Sequence, residues 1–245
     1  MAKNKFPTEM VELPSKGYFY FDGHPLSSGK VEVKYMTAKE EDILTSQNLI
    51  KQGTVIDKLL ESLIVDKSIK VDDLLVGDKN AIMVAARVLG YGKDYEFTYD
   101  GVKQNVDLSK LEPVEIDFDN FERGVNNFSY ELPHSKTNIT FKLLSGGDEK
   151  SISLEIAAKQ KISDSGYELT TRFKKMILSV DGETDKKYIN NFVDNEFLSV
   201  DSLKFRKYLT SITPDVDMNT KVVDSTGEET VIAVPITVRF FWPSI

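Results

Sequence analysis

The chain has no cysteine, one tryptophan and two histidines among its 245 residues. Without cysteine there is no disulfide framework, no thiolate metal site and no cysteine nucleophile, which points to a reducing compartment and by default to the cytoplasm. No apolar run approaches the roughly 20 residues that a membrane span requires. The opening Met1-Ala-Lys-Asn-Lys-Phe-Pro has a little positive charge but no apolar core behind it, so neither export nor membrane insertion is indicated. Basic residues are also in deficit, with 31 Lys and Arg against 39 Asp and Glu and a formal charge of −8. That balance argues against a surface given over to nucleic-acid phosphates or anionic lipid. What remains, 40% apolar and 29% charged residues, describes a globular chain long enough for one large or two small domains.

Catalytic chemistry has little to build on. His24, in Asp22-Gly23-His24-Pro25, and His134, in Pro133-His134-Ser135, occupy turn-like contexts where a general base can sit. No Gly-x-Ser-x-Gly elbow accompanies them and nothing in the sequence orients either ring, so a small hydrolase using one of them is the least supported reading. The run Glu40-Glu41-Asp42 can suggest a hard-cation site, but in the first turn of a predicted helix the helix dipole already favours negative charge. Asp72-Asp73 and Asp78 lack the spacing of an EF-hand loop, and helix capping accounts for them. Gly90-Tyr91-Gly92 reads as a helix stop and Ser145-Gly146-Gly147-Asp148 as a strand-to-helix turn, because neither leads into the Lys-Ser/Thr of a phosphate loop. The expectation is a chain with no catalytic, metal or cofactor site.

The order of elements is written twice at low identity. Val11-Glu12-Leu13-Pro14 and Tyr130-Glu131-Leu132-Pro133 each precede an alternating, strand-like stretch, at 31–35 and 139–143. Each strand runs into a hydroxyl residue followed by acids: Thr37 with Glu40 has the spacing of a capping box, and Ser145 with Asp148 is a weaker version. Leu59-Leu60-Glu-Ser-Leu63-Ile64 then matches Met176-Ile177-Leu-Ser-Val180-Asp181 in pattern, and Asp78 and Asp201 are expected to cap a second helix in each half. The first of these helices carries Ile82, Val84, Ala85, Val88 and Leu89 before Gly90. The other carries Leu203, Phe205, Tyr208, Leu209 and Ile212 before Thr213-Pro214. Each half closes on a predicted hairpin, one turning at Asp100-Gly101 and one around Ser225-Thr-Gly227. The pattern predicts an α+β fold of two divergent repeats, each a short strand unit, helices and a terminal β-hairpin. The acidic, turn-rich stretch 113–127 is the predicted linker and divides the chain into an N-terminal module, 1–117, and a C-terminal module, 118–245.

Three stretches carry a family likeness: the opening Glu-Leu-Pro-Ser-Lys-Gly-Tyr18, the junction Val-Lys-Tyr-Met-Thr-Ala-Lys-Glu-Glu-Asp-Ile-Leu44 and the ending Arg239-Phe-Phe-Trp-Pro243. Together they resemble the baseplate hub proteins of T4-type contractile-tailed bacteriophages, over about residues 10–243. Within that group the chain looks closer to the hub subunit than to the related hub assembly catalyst. The resemblance implies a non-enzymatic structural component, needed for baseplate and tail assembly, in the host cytoplasm during assembly and in the virion tail baseplate afterwards. Its implied partners are other baseplate hub and tail proteins, with no cofactor, nucleic acid, membrane or small-molecule substrate. The alternative is a transient assembly factor or chaperone absent from the mature virion. Relatives with this pattern often carry Cys-x-x-Cys pairs on such hairpins, suggesting zinc-ribbon knuckles. Residues 95–108 and 221–236 contain neither Cys nor His, so hairpins of that descent are metal-free here. Apolar pairs such as Tyr95, Phe97 and Val106, or Val223, Val231 and Val234, are expected to hold them.

Two aromatic stretches are the candidates for partner contact. A strand over Tyr18, Phe19, Tyr20 and Phe21 would expose alternate rings, so one face meets either the rest of the fold or another protein. The C-terminal stretch is either the closing strand of the second module or a set of aromatics that dock into a partner. A strand is expected over 231–238, and partner contact for Phe240, Phe241 and Trp242.

Overall fold

The computed structural model describes residues 7–160 and 166–241. Strands β1 (Thr8–Glu12) and β2 (Lys30–Lys34) pair antiparallel with Val11 opposite Val31. The alternation of β2 turns Val31 and Val33 inward, where both are buried. The loop between the strands doubles back on itself so closely that a Cβ on Gly17, at φ +73°, would stand 2.4 Å from the Ser27 carbonyl oxygen. Only glycine meets both the backbone conformation and the space. Helices α1 (Ala38–Thr45), α2 (Gln47–Gln52) and α3 (Val55–Leu63) follow. Val55, Leu59, Leu60 and Leu63 recur at helical spacing and bury one face of α3, after which Ile64 bridges back to Val33.

Helix α4 (Val76–Tyr91) is the central element. Ala81, Ile82, Met83, Val84 and Ala86 are buried on more than one side, as a helix enclosed by neighbours requires. It ends within the expected Gly90-Tyr91-Gly92 stop, at Gly92, and Gly90 is also a packing residue whose missing Cβ would lie 2.0 Å from the tip of Met36. Strands β3 (Asp94–Tyr99) and β4 (Val102–Asp107) form the first hairpin as predicted. Its Asp100 and Gly101 both take positive φ, 45° and 78°, the geometry that makes Asp-Gly a hairpin turn.

In the second half β5 (Phe128–Glu131), β6 (Asn138–Phe141) and β7 (Ile177–Val180) form a three-stranded antiparallel sheet in the order β5-β6-β7. Helices α5 (Gly146–Gln160) and α6 (Glu168–Met176) connect β6 to β7. Helix α7 (Lys186–Asn191) runs into a π turn and is followed by α8 (Ser199–Ile212). Leu203 on α8 is exposed, so the apolar face expected there is carried by Phe205 and Ile212 without it. The last hairpin, β8 (Asn219–Val223) and β9 (Glu229–Ala233), stops well short of the expected strand end at 238. Pro235 has no amide for a ladder, and the chain turns into a 3-10 helix at Val238–Phe241. Val223 and Val231 are exposed, and Val222 and Val234 are the buried residues of this unit.

The architecture is α+β, with small antiparallel sheets against helices and one continuous apolar core reaching into both halves. A chain of rings, Phe19, Phe128, Phe141 and Phe205, passes through it at centroid separations of 5.2, 5.3 and 4.9 Å. The stretch 113–127 is strapped down: Val114 N–H donates to the Asp215 carbonyl at 2.7 Å, and Phe118 and Phe121 pack on Tyr18 and Phe19. The start of α4 docks on the second half through Val76 N–H to Leu144 O, 3.1 Å, and Gly146 N–H to Leu74 O, 2.8 Å. On its other side Gly77 abuts the Pro214 carbonyl, leaving no room for a side chain.

Candidate functional site

The four aromatics at 18–21 lie in consecutive turns rather than in a strand, and the turns send them to different places. Phe19 is core, half-buried Tyr18 packs against Phe118 in a tilted arrangement at 5.0 Å and donates its hydroxyl to the Phe121 carbonyl at 2.9 Å, and Phe21 is 62% exposed. Tyr20 is buried and donates its hydroxyl to Asp78 at 2.6 Å while accepting from the Leu75 amide at 2.8 Å. At the other end Phe240 and Phe241 are fully buried, with Phe240 edge-on to Tyr95 at 4.9 Å. Trp242 lies outside the described residues. Among the six aromatic candidates that are described, Phe21 presents the open ring, and the buried ones hold the isolated chain together.

The titratable groups organise the surroundings of these rings. Asp78 and Asp201 are not N-caps: each is the third residue of its helix, fully buried, and reaches across to the turn after a Glu-Leu-Pro segment. Asp78 accepts from the Ser15 amide at 2.9 Å, the Ser15 hydroxyl at 2.6 Å and Tyr20. Burial pushes its carboxyl above the usual range despite these donors, and pushes the Tyr20 hydroxyl up as well, helped by the Asp78 charge. Asp201 accepts from the amides of His134 and Ser135 at 2.8 and 2.9 Å. Burial opposes its charge, but those amides outweigh the penalty and hold it below the usual range. Both acids carry the same sequence signal: Leu75-Val-Gly-Asp78 and Leu198-Ser-Val-Asp201 share a Leu-x-x-Asp spacing.

A second pair of acids clamps each strand to its helix. Glu40 is fully buried and accepts from Lys34 Nζ at 2.7 Å, Ser62 Oγ at 2.6 Å, and the amide and hydroxyl of Thr37 at 2.9 and 2.6 Å. Asp148 accepts from Lys142 Nζ at 2.6 Å and the Ser145 amide at 3.1 Å, the weaker box in the same register. Burial alone would raise the Glu40 carboxyl, yet Lys34, Ser62 and Thr37 bring it from 4.5 down to about 2. A folded-state pKa below the unfolded one gives stability that is present above pH 4.5 and is lost as pH falls through 2. Glu40→Gln is therefore expected to lose about 3 kcal/mol at pH 7, with the deficit shrinking below pH 4.5. Urea midpoints of parent and variant across that range measure it.

The histidines find structural partners. His24 accepts the Leu26 amide at 3.1 Å through Nδ1 and stacks on Tyr20 at 5.2 Å, while His134 gives its amide to Asp201. Among the described residues no serine hydroxyl bonds to either ring, and no three His, Asp or Glu residues are grouped to hold a metal. Sequence reasoning missed the contact between hairpin tips, where the Gln104 side chain bonds both backbone groups of Val223 at 2.8 and 3.2 Å and Asp100 accepts from Ser225.

A family model described as T4 bacteriophage base plate protein matches residues 8–242. The chain belongs to that family. No match was found among curated proteins or among solved structures. The matched span of this base plate protein opens at the first residue of β1 and takes in both halves, the acid-centred junctions and both hairpins. Membership implies a place in the phage tail and contact with other phage structural proteins. Among the described residues no helix of the base plate protein is long and apolar enough to cross a membrane.

Proposed function

We propose that this base plate protein is a non-enzymatic structural subunit of the central hub, joining other hub and tail proteins as the baseplate forms in the host cytoplasm and remaining in the finished tail. The observation that carries this reading is the family match across nearly the whole chain. The shifted acids support it, because Glu40, Asp78, Asp148 and Asp201 are all spent on internal donors. Mass spectrometry of purified particles, with copy number, against infected-cell lysate tests it. A fixed small number of copies per virion is the expected result. Abundance in lysate with absence from particles would instead make it a transient assembly factor.

The modules 1–117 and 118–245 are read as divergent copies of one unit. Two correspondences support this: a Leu-x-x-Asp helix start whose acid binds the turn after Glu-Leu-Pro, and a Lys-x-x-Thr/Ser-x-x-acid clamp between strand and helix. The terminal hairpins are read as metal-free knuckles, the first closed by the cross-strand pair Tyr95 and Val106.

A further inference from the structure

Among the described residues strand β1 has a partner on one side only. The ladder to β2 is bounded by Leu13 N–H to Gly29 O at 2.8 Å and Tyr35 N–H to Pro7 O at 3.2 Å, so Glu9 and Val11 also turn their amides toward β2. The amides of Met10 and Glu12 therefore face outward, by the alternation of an antiparallel ladder. Beside this free edge runs a groove of about 1490 Å³. Its floor is the face of α4 carrying Ala81, Val84, Ala85 and Val88, and its far wall is the strapped segment at 111–118. Natural sheets normally cover or blunt such an edge. Among the described residues no proline within β1 and no other segment does so, and Met10 is 58% exposed.

The charge of the lining selects the occupant. Glu9, Glu12, Glu112, Glu115 and Asp117 line the groove against Lys16 and Lys30, five acids to two bases. A second copy of this chain would bring the same acids to the contact and be repelled, whereas a segment with lysine or arginine at alternate positions would meet opposite charge while its apolar residues faced α4. β1 is five residues long, which at about 3.3 Å per residue admits a strand of roughly the same length. We propose that this groove receives an extended basic segment of a neighbouring tail protein, added as a strand along the free edge of β1. The identity of the neighbour as a tail protein rests on the hub reading above; the geometry and charge of the groove do not.

The test has two arms. In the first, the purified full chain is titrated at low ionic strength with the peptides Lys-Val-Lys-Val-Lys-Val-Lys and Glu-Val-Glu-Val-Glu-Val-Glu while amide hydrogen exchange is followed. The lysine peptide is expected to slow exchange at Met10 and Glu12 and to bind at least tenfold more tightly than the glutamate peptide. Met10→Pro removes an amide that the fold does not use, and is expected to fold normally and lose this binding. The double variant Glu112→Lys/Glu115→Lys, at exposed positions outside the ladder, is expected to weaken it at least tenfold and guards against a folding defect in the first variant. Equal binding of the two peptides, unchanged exchange at β1, or a dimer of the chain formed through β1 would overturn the proposal. In the second arm, exchange at 8–12 is compared between the free chain and tail intermediates isolated from infected cells, with protection expected in the intermediates. If the chain enters no tail intermediate but still captures the lysine peptide, the hub reading fails and the groove stands. If it enters them with β1 unprotected, and Met10→Pro enters equally well, the groove proposal fails and the hub reading stands.

Discussion

Asp78→Ala is expected to destabilise the fold by about 4 kcal/mol, since three donors lose their acceptor at once and each buried, unsatisfied group costs about 1–3 kcal/mol. The Ser15 amide, the Ser15 hydroxyl and the Tyr20 hydroxyl have no water to turn to, because Asp78, Ser15 and Tyr20 are all buried. Part of the loss is offset by removing a carboxylate that burial disfavours, which keeps the sum below three full penalties. For a chain of this size the melting temperature should drop by roughly 10 °C, read by calorimetry or circular dichroism. The pH dependence has the opposite sign to that of Glu40. A carboxyl whose folded pKa is raised contributes stability that is present below its ordinary value of 3.8 and is lost as pH rises through the folded value. The deficit of Asp78→Ala should thus grow on acidification toward pH 3.8 while that of Glu40→Gln shrinks. Parallel curves for the two variants would contradict the assignment of both acids.

Phe240→Ala should cost about 4 kcal/mol, the range for deleting a fully buried ring. Phe240 lies edge-on to Tyr95 and to Phe241, at 4.9 and 5.1 Å, and through Tyr95 it fastens the end of the chain to the first hairpin. The Tyr95 hydroxyl donates to the Pro235 carbonyl at 3.3 Å, so the cavity would open at the seam between the end of the chain and β3. Urea unfolding gives the energy, and limited proteolysis should cut the variant after residue 233 sooner than the parent. Phe21→Ala is the control: its ring is exposed, and its loss should change stability by less than about 0.5 kcal/mol. If Phe21→Ala nevertheless blocks incorporation into tails, the ring serves a partner rather than the fold.

Local chemistry made much of the fold legible. Asp100-Gly101 predicts its hairpin because both positions need positive φ, and Thr37 with Glu40 predicts the start of α1 because the capping bonds span only three residues. What was not legible depends on distant parts of the chain. Nothing local says that Met36 will fill the space above Gly90, or that Asp215 and the rings at 18 and 19 will hold the stretch 113–127 down. Asp78 and Asp201 carry a recognisable spacing, but a sequence does not say that an acid will turn away from its own helix toward a turn 63 or 67 residues away.

The mixed α+β class, the lack of thiol chemistry and the family could be read before any folding, because composition, periodicity and short motifs are local properties that survive in one dimension. Which aromatics are core and which are surface depends on the packing of the folded chain. Phe21 and Phe240 are the same residue in similar aromatic company, and one is open to solvent while the other is sealed. Burial depends on what packs against a side chain from elsewhere, and the segments that cover Phe240, including β3 with Tyr95, lie about 140 residues earlier in the chain. The free edge of β1 follows in the same way, since a strand is an edge only once its neighbours are in place, and none of the described residues pairs there.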